Sequence, residues 1–270
     1  GLTMGGVGSG TTIEHVEVAF NADDGFEFFG GTVDVKYLSA LFVGDDAFDL
    51  DQGYRGRGQF LFAMTGSSGG FAAEWDSKDN DLPRSHPYFS SFTFIGGGDS
   101  ATGDNKDKLV HMREGVAGHF TNGVLAHAKT LGIYNEDCFN ETFYSNFAAI
   151  SDLTSQDTLM WSSSNIVSDI PTASATDSSC SSNTFASQTI DAGFAGVTSG
   201  CLDYNCLTNT FNPLPSGSGS GMCSTSDVPM QGDGGGNFFG AVSCIGAFKS
   251  ANAADNWLRG WSWLDCSGKL

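Results

Sequence analysis

Residues 13–31, IEHVEVAFNADDGFEFFGG, overlay residues 35–53, VKYLSALFVGDDAFDLDQG, at a constant offset of 22. Ile13 falls on Val35, Val16 on Leu38, Val18 on Ala40, Phe20 on Phe42, Phe26 on Phe48 and Phe28 on Leu50, while Asp23-Asp24 falls on Asp45-Asp46. A looser third copy follows, in which Phe60, Phe62 and Met64 extend the 38/40/42 column and Phe71 extends the Phe26/Phe48 column at 23. Runs at Phe89–Ile95 and Phe120–Ala126 are candidates for later coils. Within each copy the apolar residues alternate, the period of a strand with one buried face. A repeat of about 22 residues holding two or three short strands cannot bury its own face and must stack on its neighbours. A sandwich would also alternate, but it would not preserve this register of Phe and Asp-Asp. The expectation is an all-β parallel solenoid with coils about one strand spacing, roughly 4.8 Å, apart.

Composition agrees. Of 270 residues 37 are Gly, and the acids comprise 24 Asp but only 7 Glu, a bias toward tight turns and away from helix. The net charge of −19 argues against a nucleic-acid partner. No apolar run approaches the roughly 20 residues of a membrane helix, and the opening Gly1-Leu-Thr-Met is not an export leader, so any such signal is expected to have been removed or to lie outside this chain. The coil pattern is expected over 1–150. Residues 151–237 read as a loop-rich excursion pinned by disulfides, with the flexible run Pro215–Gly221 and the cluster Gly234–Gly236. Apolar character returns in Phe238–Leu264, so 238–270 is expected to be a returning β segment and a Trp-rich terminal cap.

The blocks GGVGSGTTIEH (5–15), DDGFEFFGGTV (23–33), GDDAFDLDQGY (44–54) and NWLRGW (256–261) resemble secreted right-handed parallel β-helix proteins of the pectin-lyase-like superfamily. The resemblance is dense over 1–80, thinner over 80–150, absent over 151–237 and renewed at 238–264. It implies an extracellular or cell-surface location. It also implies earlier coils ahead of 5–15, hence a start in mid-solenoid or a first coil stacked on another chain.

Stacked coils would set Asp23 over Asp45, Asp24 over Asp46 and Glu27 over Asp49, and like charges opposed across strands destabilise a sheet. A hard cation with oxygen ligands answers this, and Ca²⁺ accepts the irregular shell that turn carboxylates provide. The candidate ligands are Asp23, Asp24, Glu27, Asp45, Asp46, Asp49 and Asp51, with Asp76, Asp79 and Asp81 nearby. The alternative is a solvated acidic edge in which Asp serves turn geometry and accepts backbone N–H bonds. An enzyme reading would use Asp45, Asp46 or Asp49 as acid and base, with Arg55 and Arg57 on sugar carboxylates. Against it, the Gly-His-Gly and Arg-Ile-Lys signatures of the hydrolases that this block resembles are absent.

His15, His86, His111, His119 and His127 lack zinc-hydrolase spacing. Gly5–Gly10 lacks the following helix of a phosphate loop, and Ser68 in Gly66–Gly70 meets a nucleophile-elbow pattern only formally. The Phe26/Phe48/Phe71 and Phe20/Phe42/Met64 columns read as inward core ladders. Up to three disulfides are expected, mostly among Cys180, Cys201, Cys206, Cys223, Cys244 and Cys266, leaving Cys138 free or bonded to another chain. Asn140 heads the Asn-Glu-Thr sequon.

Three functions follow as expectations. The first is a non-catalytic structural or adhesive solenoid of a surface layer, sheath, appendage or filament, with neighbouring copies or other extracellular chains as partners. The second is a polysaccharide hydrolase or lyase. The third is a polysaccharide-binding module using Tyr54 and Trp75 along a groove.

Overall fold

The repeats become parallel strands. The computed structural model describes residues 1–78, 82–102, 107–152, 155–192, 194, 203–205, 207, 211–214, 222–223 and 237–270. In chain order the strands are β1 (Leu2–Gly5), β2 (Thr12–Ala19), β3 (Phe26–Phe29), β4 (Asp34–Leu41), β5 (Phe48–Asp51), β6 (Arg57–Met64), β7 (Ala73–Trp75) and β8 (Tyr88–Ile95). There follow β9 (Lys108–Met112), β10 (Gly118–Ala126), β11 (Leu131–Asn135), β12 (Thr142–Tyr144), β13 (Thr158–Trp161), β14 (Ile166–Ser168), β15 (Thr172–Thr176) and β16 (Gln188–Thr189). A first sheet runs β1-β3-β5-β7-β9-β11-β15 and a second β12-β13-β10-β8-β6-β4-β2, with β14 beside β10 and β16 beside β14, so from β1 to β12 successive strands of the chain alternate between two sheets. This is a parallel β-helix.

Register confirms the first repeat and corrects the later ones. Phe26 pairs with Phe48 and Val35 with Ile13, both 22 residues apart. After that, loops lengthen the coils: Val35 pairs with Gly58, Asp49 with Glu74 and Gly58 with Phe89. Ala73, not Phe71, therefore continues the Phe26/Phe48 column, and Phe71 packs beside it against the His111 ring at 4.9 Å.

A second correction concerns which side chains point inward on the second sheet. His15, Tyr37, Phe60, Ser91 and Asn122 occupy one column and all have left-handed backbone, with φ between 54° and 65°. Each bends its strand, and ladder pairing skips the column. The bend resets the parity, so residues 13, 16 and 18 face inward, as do Val35, Leu38 and Ala40. Phe20 and Phe42 stack on each other at 5.6 Å outside the solenoid rather than within it, and Met64 belongs to that outer side. A left-handed conformation costs a non-glycine residue about 1–2 kcal/mol, and ring stacking of His15 on Tyr37 (4.4 Å) and Tyr37 on Phe60 (4.8 Å) offsets it.

The interior is aromatic. Phe26 stacks on Phe48 at 5.3 Å, and Trp75 lies flat on Phe120 across the core at 4.2 Å. Trp75 and Tyr54 are fully buried, which removes both from the exposed groove expected of a polysaccharide-binding module.

The expected organisation also changes. Coils do not stop at residue 150, since β13 to β16 extend both sheets. Residues 238–270 form no returning strand among the described residues and do not close the end of the solenoid. They make a strap along the outer face of the second sheet. Gln59 exchanges two hydrogen bonds with Gly240, Thr93 accepts from Ala247, Asn122 donates to Cys244, and the Trp263 amide donates to Glu17. Between strap and sheet lies a second core of Leu41, Phe62, Met64, Ile95, Phe248, Leu258 and Leu264. No helix among the described residues is long and apolar enough to cross a membrane.

Cys138 is not free: it bonds Cys180 and ties the turn after β11 to the turn after β15. Cys223 bonds Cys244, and Cys266 is free and exposed. Cys201 and Cys206 lie outside the described residues, as do Asp79, Asp81, Pro215–Gly221 and Gly234–Gly236. Peptide mapping without reduction is expected to recover Cys138 linked to Cys180 and Cys223 to Cys244, with Cys266 alkylated; alkylated Cys138 would refute the first bridge.

Candidate metal centre

On the first sheet Phe28, Leu50, Trp75 and Met112 point into the core, so their neighbours in sequence point out. Register therefore builds an outward column of Thr3, Glu27, Asp49, Glu74, His111 and Tyr134. Two residues further along the strands, Asp51 is followed by Asp76 and Arg113, whose amides pair with the carbonyls of Leu50 and Trp75. One turn earlier stand Asp23-Asp24 and Asp45-Asp46.

Carboxylate oxygens of Asp24, Glu27 and Asp49 lie within 4.8 Å of one another, and so do those of Asp23, Asp24 and Asp45. Two oxygens on opposite sides of one Ca²⁺ at about 2.3–2.6 Å would be roughly 4.6–5.2 Å apart, so this spacing fits the ion. Asp24 belongs to both groups. Burial pushes Asp49 up to about 8, with the charges of Asp24, Asp76, Glu74 and Glu27 adding to it. Burial likewise raises Asp24 to about 6, helped by Glu27, Asp45 and Asp23. Each shift records a charge that the site holds at a cost, and a divalent cation removes that cost.

Asp46 and Asp51 fall outside these groups. Asp46 is buried and turned to the backbone, where its carboxylate accepts from the Phe71 amide. Asp24 does the same one coil earlier, accepting from the Asp46 amide at 3.0 Å. These are the turn-serving aspartates of the alternative reading. Gly70 makes room for them, since a Cβ there would stand 2.2 Å from Asp46 Oδ1 and 2.7 Å from Asp45 Oδ1. Asp51 accepts from the Gln52 amide.

Beyond Asp49 the column changes character. Glu74 meets His111 Nδ1 at 3.4 Å and Arg113 at 3.4 Å, and His111 Nε2 meets Glu136 at 2.8 Å. Burial would push Glu74 up, but His111 and Arg113 outweigh it and hold the carboxyl below its usual range. Asp76 is paired to Arg113 at 2.7 Å, yet burial still raises it to about 7. Asp46, which hydrogen-bonds Glu74, is pushed well up by burial and by the Glu74 charge. Glu74, His111 and Arg113 were not singled out as site residues from the sequence. Their signal was the charged-apolar-charged triplet: Asp49-Leu-Asp51 recurs as Glu74-Trp-Asp76 and His111-Met-Arg113.

The remaining candidates scatter. Arg57 is engaged by Asp34 and lies over the Phe238 ring at 4.7 Å, and half-buried Arg55 is separate from the acidic column. His86 and His119 are buried together, 5.2 Å between ring centres, and burial lowers them to about 4 and about 3. Strand β2, not a helix, follows Gly5–Gly10, and Ser68 sits in the turn before β7. Asn140 is exposed, with its Oδ1 accepting from Arg84.

Residues 1–199 match the family described as pectate-lyase like beta helix domain. No curated protein and no solved structure shows significant similarity.

Proposed function

The chain belongs to the pectate-lyase like beta helix domain family, and from that premise we propose that it is a non-catalytic structural or adhesive β-solenoid of the extracellular surface, stabilised by Ca²⁺. The observation that carries this reading is the convergence of Asp24, Glu27 and Asp49 on the outer face, with their carboxylate oxygens within 4.8 Å of one another. Two disulfides support an oxidising compartment.

Calorimetric titration of the chelated protein with calcium chloride tests the ion. Saturable binding is expected, and Asp49→Asn is expected to weaken it at least tenfold. Equal affinity in the variant would remove the site. Light scattering with and without calcium tests the assembly, which a monomer in both conditions refutes.

One observation favours a carbohydrate-active reading as the second choice. Asp46, pushed up by burial, and Glu74, held down by His111 and Arg113, are a pair of carboxyls driven apart in proton affinity, the arrangement that acid and base catalysis uses. Release of reducing ends or unsaturated products from an acidic polysaccharide, abolished by Glu74→Gln, would put this reading first.

A further inference from the structure

The strap and the bent column of the second sheet border an open-mouthed cleft of about 220 Å³ lined by His15, Tyr37, Phe60, Lys249, Ala254, Asp255 and Trp257. One wall is the stack of His15, Tyr37 and Phe60. Because these rings cover one another's faces, the stack presents a strip of ring edges. Trp257 stands at 67° to Tyr37 with 5.6 Å between centres, and its indole nitrogen is committed to the Ala247 carbonyl at 2.7 Å, which fixes the ring. Asp255 is held by the Ser250 hydroxyl. The cavity lies on the second sheet, away from the acidic column of the first.

The lining selects its occupant by elimination. Pockets for drug-sized ligands begin at about 300 Å³, so this one has room for a single six-membered ring. A purely apolar group would use the rings but neither the Lys249 ammonium nor the Asp255 carboxylate. A quaternary ammonium suits the aromatic rings but meets Lys249. A carboxylate meets Asp255 and Glu14, both of which already act on the Tyr37 hydroxyl. A neutral ring with one apolar C–H face and a rim of hydroxyls satisfies all parts: the Trp257 ring takes the face, the edges of the Tyr37 stack flank it, the carboxylate accepts and the ammonium donates. The geometry points to a binding site for one neutral pyranose unit between the Tyr37 stack and Trp257. Such a unit is available as a free sugar or as the terminal residue of a glycan.

The test is a calorimetric titration of the calcium-loaded protein with methyl glycosides of glucose, galactose and mannose. Glucuronate, tetramethylammonium and N-acetylphenylalaninamide serve as comparison probes, each taken to roughly 100 mM, where millimolar binding saturates. Saturation by at least one neutral glycoside is expected, with Lys249→Met and Asp255→Asn each weakening it tenfold or more at unchanged melting temperature. Both side chains are at the surface of the strap, so these variants keep the fold where Trp257→Ala would not. A trisaccharide ending in the preferred sugar that binds as tightly as the methyl glycoside identifies a glycan terminus, and one that is excluded identifies the free sugar. No neutral glycoside binding, binding indifferent to both substitutions, or saturation only by a comparison probe overturns the proposal. The cleft shares no residue with the acidic column of the first sheet, and Lys249→Met and Asp255→Asn are expected to leave calcium affinity unchanged, so the outcome is separate from that of the calcium site.

Discussion

Millimolar calcium at pH 8 is expected to raise the melting temperature by on the order of 5 °C or more, and chelation is expected to reverse the gain. The argument is one of proton linkage. Asp24, Asp49 and Asp76 have folded values raised from 3.8 to about 6, 8 and 7. At intermediate pH the native state therefore binds more protons than the unfolded chain. Stability from these groups is complete below about pH 4 and is lost as pH rises through 6 to 8. His86 and His119 act in the opposite sense: their folded values lie below 6.5, at about 4 and about 3, so their contribution is lost as pH falls from 6.5. Without calcium the melting temperature should therefore peak in the mildly acidic range. Calcium on Asp24 and Asp49 is expected to replace the protons and to carry stability into the alkaline range, leaving the losses due to Asp46 and Asp76. Asp49→Asn gives a crossed result: at pH 8 without calcium the variant should melt higher than the parent, and with calcium lower. Melting curves at pH 5, 6.5 and 8, with and without calcium, decide this, and parallel responses of parent and variant would refute it.

Arg84→Met is expected to cost about 3–5 kcal/mol, roughly 10 °C in melting temperature. Arg84 is 4 % exposed and its guanidinium contacts Glu141 at 3.0 Å, Asp157 at 3.2 Å, and the oxygens of Gly115 and Asn140. The partners differ in what they lose. Asp157 is about half exposed and can turn to water, whereas the Glu141 side chain is 1 % exposed and has no such escape. An uncompensated buried carboxylate is the larger part of the penalty, so adding Glu141→Gln should recover much of it. Urea unfolding of the single and double variants measures both effects. A double variant as unstable as the single one would place the loss in the missing packing of the arginine stem.

The parts of the fold legible in the sequence were those that local pattern carries. Coils of equal length leave a visible offset, so Phe26 over Phe48 and Glu27 over Asp49 were readable as pairs. Asp49 over Glu74 was not, because three extra residues between them broke the offset. Simple alternation also misassigned Phe20 and Met64, since no residue type announces a left-handed bend at His15, Tyr37 or Phe60, where glycine would ordinarily be expected. No sequence pattern separates Asp46 from Asp49: both stand in the same acidic block, but one caps a backbone amide and the other faces outward. The cysteine pairing failed for a related reason. Cys138 looks isolated along the chain, yet the 42 residues to Cys180 complete one long coil and bring the two turns together.

The strap changes how the whole array comes apart. A stack of coils held only by adjacent contacts behaves as a one-dimensional chain of coupled units, which frays from its ends and loses coils one at a time. Here one segment grips Glu17, Lys36, Gln59, Thr93 and Asn122, one residue from each of five successive turns. An end turn cannot detach without loosening a tie that the middle turns share. The strap thus supplies coupling beyond nearest neighbours, and with it the all-or-none unfolding of a globular domain in a molecule built by repetition.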